Sequence, residues 1–514
     1  MVKSKEITLI SPPTTTHRTP EECLGLEYLA AESIERGHKV NYLDTWMSGL
    51  DSKQTAERVL ERKPDVVGIS PSMDSFPVVT DLIQLLRSQR YKGQIVLGGI
   101  YASFEADSLL AAIGPQIDGI LAGEADETFQ EFLQIGDIHD IPGAIYWHQG
   151  EVVRNPRQKS NDNLDLLPLP YRGTLPVVRK LKTPSHVMGS RGCRGNCSFC
   201  SVACYQQFST EKRWRGRSPE SIVAELVDLS RQGEDMVKLV DDNFFGQRVD
   251  KRRELRFAQL LKNSGINMRF RLSLRVDDVE NDIIELFRQA GLFAVSLGVE
   301  SFVQEKLSDF TKGTTVEQNI EALEILHKHG IYVQMGHIMF WPFTTIAEVE
   351  EELHYLRRFK WAVTKGICTR LFAAEGTKIT EKLRREIEFK GKEGANNLYE
   401  IVDPEARNFY LALRSWSRKL ASLYEQVIDP ISAPKNVSPQ MHAKFHELYM
   451  VLKGMDLEVA ERLIPHGSDP AKLENILEKS QREFSKNLVL IGNQTDYLYN
   501  QAGLSTSQYQ NKRA

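Results

Sequence analysis

Four of the six cysteines fall within twelve residues, at Cys193, Cys197, Cys200 and Cys204; Cys23 and Cys368 stand far away. Too few for a disulfide framework in a chain this long, thiols crowded in this way read as metal chemistry in a reducing compartment. Within Ser190-Arg-Gly-Cys193-Arg-Gly-Asn-Cys197-Ser-Phe-Cys200, three of them are spaced C-x3-C-x2-C. Three thiolates so spaced can wrap one small cofactor, and Gly192 and Gly195 let the backbone come close. Iron–sulfur clusters are held by such thiolates, and three on a four-iron cluster leave one iron open. The competing reading is structural zinc, which wants four ligands, usually as two separated pairs, with Cys204 as the fourth. In the iron–sulfur reading Cys204 is a bystander.

The elements around these thiols alternate. From residue 1 to about 150, short apolar runs (Ile7 to Ile10, Val40 to Leu43, Val66 to Ile69, Ile95 to Leu97, Gly119 to Leu121) are separated by helical patterns near 22–36, 54–62, 76–89, 103–112 and 126–134. Continuous, β-branched runs of this length predict parallel strands buried on both faces, hence a doubly wound α/β domain over 1–145. Such sheets bind ligands beyond the carboxyl ends of their strands. Residues 146–184 are irregular and read as a connector. A second series over 185–385 has strand candidates at His186 to Gly189, Met236 to Val240, Met268 to Leu274, Phe293 to Gly298, Val333 to Phe340 and Ile367 to Phe372. Six βα repeats are too few for a closed eight-fold barrel, so an open or partial barrel is expected, with the cysteine loop at its mouth. Residues 386–514 lose the strand pattern and read as helical.

The chain has 514 residues, more than one core can serve. Hydrophobic residues at 41% exclude wholesale disorder. Lys and Arg (65) nearly balance Asp and Glu (69), and without a polybasic block nonspecific nucleic-acid binding is not expected. No apolar run is long enough to span a bilayer, and Met1 to Ile10 lacks a secretory core, so a cytoplasmic enzyme is expected.

The cysteine segment, with Ser190-Arg-Gly192 before it and Phe199 at the usual aromatic position, resembles the radical S-adenosylmethionine (SAM) superfamily. Other segments extend the likeness: Asp241-Asp242-Asn243 after the second barrel strand, Arg271-Leu-Ser273-Leu-Arg275 on the third, and Ser296-Leu-Gly-Val-Glu300-Ser301 on the fourth. The resemblance implies a [4Fe-4S] cluster on Cys193, Cys197 and Cys200. It also implies SAM contacts from Asp242, Asn243, Ser273, Arg275, Glu300 and Ser301, although Asp242 and Asn243 equally suit a helix cap. His337 and Trp341 stand on the fifth strand, where the family more often has small residues. His337 reads better as a satisfied core histidine. Gly376 and Thr377 match a Pro-Gly-Thr segment of relatives whose prolines are missing here. Cys368 reads as a buried small hydrophobe.

With that core behind it, the first domain resembles the cobalamin (B12)-binding domain of the B12-dependent radical SAM class. The residues carrying this are Leu24-Gly-Leu-Glu-Tyr-Leu-Ala30, Gly37-His38, Leu43-Asp44, Gly68-Ile-Ser70, Leu97-Gly-Gly99 with Ala102-Ser103, Gly123-Glu124, and Leu164-Asp-Leu-Leu-Pro-Leu-Pro170 in the connector. Cobalamin contacts are implied at Ser70, Ser72, Gly98, Gly99, Gly123 and Glu124. The Asp-x-His-x-x-Gly motif of other cobalamin proteins, whose His approaches cobalt, is not present. Asp44-Thr-Trp46-Met-Ser-Gly49 copies its spacing with Trp for His and reads as coincidence. His17 is an outside candidate for that face.

The fold class implied is a flavodoxin-like B12-binding domain, a partial (β/α)6 radical SAM barrel and a helical C-terminal region. The activity implied is C-methylation at an unactivated carbon, using a 5′-deoxyadenosyl radical and methylcobalamin; the alternative is a cyclase or ring-rearranging enzyme with the same cofactors. A small-molecule substrate and an electron donor such as flavodoxin or ferredoxin are implied, with neither nucleic acid nor membrane as partner. An RNA methylthiotransferase would need further N-terminal cluster cysteines, and only Cys23 precedes the barrel. A cobalamin sensor with a zinc loop is the non-enzyme alternative.

Overall fold

The computed structural model describes residues 4–13, 21–157, 160–205, 208, 212–246, 250–432 and 437–504. The chain forms two compact units, one comprising 1–247, 373–383 and 392–397, the other 248–372, 384–391 and 398–514.

The first unit opens with β1 (Glu6–Ser11), α1 (Leu24–Glu35), β2 (Lys39–Asp44), α2 (Thr45–Ser48), α3 (Ser52–Arg62), β3 (Val66–Ile69) and α4 (Phe76–Ser88). It continues through β4 (Gln94–Gly98), α5 (Gly99–Phe104), α6 (Ala106–Ile113), β5 (Gly119–Leu121), α7 (Asp126–Ile135), β6 (Ala144–His148) and β7 (Glu151–Arg154). The sheet order is β2-β1-β3-β4-β5-β6-β7, with the first five strands parallel. Leu9, Val67, Ile95 and Ile120 are fully buried, as the continuous apolar runs require when helices cover both faces. Asp44 accepts the Met47 N–H as the N-cap of α2, and Gly49 closes that helix in the left-handed conformation, so capping explains the Asp44 to Gly49 spacing.

The sheet is two strands larger than expected. The segment read as the start of a connector is instead a hairpin, with β6 antiparallel to β5 and to β7. Its turn is Gln149-Gly150, both at positive φ (49° and 93°), which suits the twist of antiparallel strands.

Further along this unit come α8 (Leu175–Leu181), β8 (Ser185–Val187), β9 (Ser190–Gly192), α9 (Ser201–Tyr205), β10 (Trp214–Gly216), α10 (Pro219–Arg231) and β11 (Met236–Leu239). β8 and β11 are parallel neighbours, while β9 and β10 form a short antiparallel ribbon.

The second unit begins with α11 (Arg252–Asn263), β12 (Arg269–Arg275), α12 (Asn281–Gln289), β13 (Leu292–Glu300), α13 (Gln304–Asp309), α14 (Val316–Lys328), β14 (Tyr332–His337) and α15 (Ile346–Arg358). β12, β13 and β14 are parallel, with register shifts at Phe270–Arg271 and at Gly298–Glu300. Leu272, Leu274, Val295, Leu297, Val333 and Met335 are buried on one face. Alternation puts Arg271, Ser273, Arg275, Ser296, Gly298, Gln334 and Gly336 on the other.

The sixth strand, expected at Ile367 to Phe372, is not a regular strand. It is an extended segment tied by one isolated parallel bridge, Phe340 to Arg370, with a second, Gln334 to Val363, just ahead of it. Thr369 takes over part of the ladder, its hydroxyl accepting the Met339 N–H (3.1 Å). After α16 (Lys378–Glu386) come the long helices α17 (Pro404–Ser432), α18 (Pro439–Leu463) and α19 (Pro470–Ala502). Asp456, fully buried on α18, accepts from Trp416 Nε1 (2.8 Å) and the Tyr424 hydroxyl (2.6 Å) on α17. Lys453, also buried, donates to the Ala362 carbonyl (2.7 Å) beyond α15. Among the described residues no helix is long and apolar enough to cross a membrane.

Candidate active site

The cysteine loop leaves the β9–β10 ribbon, in which Arg191 lies opposite Arg215 and Gly192 opposite Trp214. Gly192 has φ +83°, a conformation that turns the chain sharply and favours glycine. None of the six cysteines is in a disulfide; Cys197 is buried and Cys193 and Cys200 are half-buried. The Gly195 N–H points at Cys193 Sγ (3.3 Å). Burial pushes the Cys200 thiol up to about 11, against the pull of the Val202 and Ala203 N–H groups. The loop is tied down by the Ile379 N–H to the Ser198 carbonyl (2.9 Å) and by Lys378 Nζ to Asn196 (2.7 Å).

Among the described residues no group of three or more His, Cys, Asp and Glu is placed to hold a single metal ion. The donor set nevertheless suits an iron–sulfur cluster: three thiols on one loop, with backbone N–H groups directed at the sulfurs of Cys193 and Cys200, the kind of hydrogen bond that tunes a cluster. Loading would displace the thiol protons.

Beyond β11, Asp241 accepts from the Ser190 hydroxyl and the Gly189 N–H (3.3 Å), fixing the approach to the loop. Asp242 accepts the Gly192 N–H (3.2 Å). Burial and the neighbouring Asp241 push its carboxyl up to about 6. Asn243 donates to the Phe245 carbonyl (2.7 Å), and its own carbonyl accepts from Trp214 Nε1 (2.9 Å). The next helix, α11, has Lys251 at its N-cap position, so neither Asp242 nor Asn243 is a cap.

At the strand ends of the N-terminal sheet, Gly99 has φ +87°, and a Cβ there would lie 2.7 Å from Ser70 Oγ. Gly98 would meet only the Leu121 carbonyl at 3.6 Å. These two glycines leave the strand end bare, the cradle a flat macrocycle needs. Ser72 bonds to Asp74 (2.8 Å) and Ser75 (2.9 Å), shaping the turn before α4. Gly123, at φ +83°, donates to Ser103 Oγ (2.9 Å). Glu124 turns to the cysteine loop, accepting from Arg191 (2.9 Å) and from Arg215. Asp126 takes the same Arg191 in two bonds, 2.6 and 3.0 Å. Burial would raise the Asp126 carboxyl, but Arg191 holds it below its usual value. His17 lies outside the described residues.

In the second unit, Arg275 donates to Asp277 (2.9 Å) and to the Lys312 carbonyl (2.7 Å). Lys312 Nζ in turn pairs with Glu300 (3.0 Å), whose backbone sits at φ +69° beside a register shift in β13. Gly298 makes this pair possible, because a Cβ would lie 2.7 Å from Lys312 Nζ and 2.8 Å from the Glu300 carboxylate. Ser273 is half-buried on the polar strand face. Ser301 is fully buried and donates to Glu352, which also takes Lys306 Nζ (3.0 Å) and His337 Nε2 (2.9 Å). Burial would raise the Glu352 carboxyl, but Lys306 and His337 hold it down at about 2. His337 is therefore a satisfied core residue, bonded also to Thr369 (3.3 Å). Trp341 is buried edge-on against Phe310 and Phe343. Cys368 is half-buried, less enclosed than a buried hydrophobe, though its surroundings still push the thiol up to about 12.

Sequence reasoning passed over Arg191, Asp126, Arg215 and Lys312. Arg191 had a signal, since it lies inside the Ser190-Arg-Gly192 segment; the others have none in local pattern.

The fold and the three-thiol loop define a radical SAM enzyme. Residues 187–356 match the Radical SAM superfamily and residues 14–133 match the B12 binding domain. An uncharacterised methyltransferase of Pyrococcus horikoshii is 28% identical over 371 residues, 70% of this chain and 79% of that one. An anaerobic magnesium-protoporphyrin IX monomethyl ester cyclase of Rubrivivax gelatinosus is 28% identical over 64% of this chain and 61% of its own length. The hopanoid C-3 methylase of Methylococcus capsulatus is 31% identical over 61% of this chain and 60% of its own. The chain thus spans about three fifths of these last two relatives. Among solved structures, the cobalamin-dependent SAM radical enzyme OxsB, with aqua-cobalamin and SAM bound, superposes with a TM-score of 0.79 at 18% identity over 99% of this chain and 81% of that one, which shows the fold. With a B12 binding domain ahead of its radical SAM domain, the protein belongs to the cobalamin-dependent radical SAM enzymes. Its cofactors are a [4Fe-4S] cluster, SAM and cobalamin.

Proposed function

We propose that the protein is a C-methyltransferase acting on an unactivated carbon of a small molecule. The observation that carries the reading is the three-thiol loop, on a chain whose relatives include a methyltransferase and a C-3 methylase. When bound, the cofactors supply hydrogen abstraction from carbon and a transferable methyl group.

Cys193, Cys197 and Cys200 would hold the cluster, with backbone N–H groups at Cys193 and Cys200 offsetting the thiolate charge. Asp242, held by the Gly192 N–H, would accept from the SAM ammonium. Arg275 would meet the SAM carboxylate, its guanidinium oriented by Asp277 and the Lys312 carbonyl. Glu300 would accept from SAM hydroxyl or ammonium groups, its carboxylate aimed by Lys312. Ser273 offers a further hydroxyl on the same strand face. Asn243 and Ser301 are spoken for by the scaffold and act through it. Gly98, Gly99, Gly123, Ser70 and Ser72 would shape the cobalamin cradle.

A low-potential donor such as flavodoxin or ferredoxin would reduce the cluster, and six unbridged thiols suit a cytoplasmic setting. The cyclase relative favours a second reading, ring formation with the same cofactors. Anaerobic turnover of the reconstituted protein with SAM and lysate metabolites separates the two. S-adenosylhomocysteine formed alongside 5′-deoxyadenosine supports methylation; deoxyadenosine alone overturns it in favour of the cyclase reading.

A further inference from the structure

Glu124 follows Gly123 in the turn between β5 and α7, the turn assigned above to the cobalamin cradle. Its carboxylate is directed to two guanidinium groups of the β9–β10 ribbon that carries the cysteine loop. Arg191 and Arg215 face each other in that ribbon, so a single carboxylate ties both of its strands. Asp126, two residues on, doubles the grip through two bonds to Arg191. Arg215 is 4% exposed and also donates to the Asn161 carbonyl (2.6 Å), and Arg191 packs over the Tyr28 ring at 5.8 Å. Charges so largely screened from water and so multiply bonded hold one geometry; exposed ion pairs seldom do.

Glu124 is one residue from Gly123 of the cradle, and Arg191 is two residues from Cys193. At one end Gly123 donates to Ser103 Oγ, which also donates to the Gly99 carbonyl (2.8 Å), so the glycines of the cradle and the strut form one hydrogen-bonded path. At the other end Gly192 follows Arg191 directly and precedes Cys193, with its N–H on Asp242. A shift of the Gly123 turn cannot leave Arg191 and Arg215 in place without breaking these largely buried ion pairs.

We propose that Glu124 is a positioning residue, not a corrinoid ligand, and that the Glu124–Asp126–Arg191–Arg215 strut couples occupancy of the cobalamin cradle to the geometry of the cluster loop. The proposal rests on the placement of cobalamin at the Gly98–Gly99 and Gly123 turns. By reciprocity, a loaded cluster must then strengthen cobalamin binding by the same factor with which cobalamin favours the cluster-bearing loop geometry.

The test is equilibrium binding of hydroxocobalamin, followed by its absorption spectrum, to cluster-loaded protein and to a cluster-free Cys193→Ala/Cys197→Ala/Cys200→Ala variant. Coupling through the strut predicts affinities at least about fivefold apart. It also predicts a change in the electron paramagnetic resonance spectrum of the reduced cluster when cobalamin is added. In Glu124→Gln, which keeps the side chain's size, both differences shrink toward nothing while iron and corrinoid still load. Should Glu124→Gln load poorly, Arg215→Lys, which keeps the charge but loses the fork, must show an intermediate coupling. Equal affinities with and without the cluster overturn the proposal. So does a uniform loss of cobalamin affinity in Glu124→Gln, which would make Glu124 a direct ligand. Absence of corrinoid binding to any form would instead overturn the cradle assignment itself.

Discussion

β3 and β13 are both central parallel strands, yet they serve ligands differently. Every residue of β3, Val66 to Ile69, is buried, and Gly68 leaves so little room that a Cβ would lie 2.8 Å from Leu9. That sheet has only its strand ends to offer, and the bare glycines and serines of the N-terminal unit are found there. β13 alternates: Val295 and Leu297 are buried, while Ser296, Gly298 and Glu300 are half-buried on the opposite face. A strand polar along one whole face can contribute contacts over its length. A cobalamin cradle at those strand ends would therefore depend on backbone shape, and SAM contacts from the barrel strands would depend on placed side chains.

The largest effect that would sharpen this contrast is on stability. Leu9→Ala empties a fully buried site between helices and should cost about 2–5 kcal/mol in denaturant unfolding. Ser273→Ala, on the polar strand face, should stay within about 0.5 kcal/mol while weakening SAM binding. Equal losses at the two positions would break the comparison.

A smaller effect separates the buried charges of the two units by pH. Glu352 is held down at about 2, so the stability it confers is present above the ordinary carboxylate value of 4.5 and is lost as pH falls from there toward 2. Glu27 on α1, fully buried beside Glu22, is pushed up to about 8 by burial and by that neighbour. Its contribution is present below 4.5 and is lost as pH rises toward 8. Hydrogen exchange should quicken first in α15 on acidification and first in α1 on alkalinisation. The reverse order would contradict the assignment of these two networks.

Much of the scaffold was legible because it is periodic. The five βα units of the N-terminal sheet and the long C-terminal helices follow from apolar spacing alone. The β6–β7 hairpin was hidden by a Gln149-Gly150 turn without the usual Asn or Asp. The sixth barrel strand reads as one in sequence, but its ladder is cut to an isolated bridge at Phe340 and Arg370, and the Met339 N–H turns to the Thr369 hydroxyl instead of a carbonyl. The cysteines were legible because their spacing is itself the chemistry. The strut was not, because Glu124 meets Arg191 and Arg215 across 67 and 91 residues, and ion pairs at such separations leave no periodic trace. Lys312 escaped for a related reason: its role rests on the left-handed turn at Glu300 and the space left by Gly298, which only the folded backbone shows.

Whether the Cys193–Cys200 loop grips a four-iron cluster is tested most directly by iron, sulfide and zinc analysis after anaerobic reconstitution, on the unaltered protein and on Cys197→Ala. The unaltered protein should turn brown and carry about four irons and four sulfides per chain, and Cys197→Ala should carry almost none. Zinc without sulfide, or an iron content indifferent to the loss of Cys197, would contradict it.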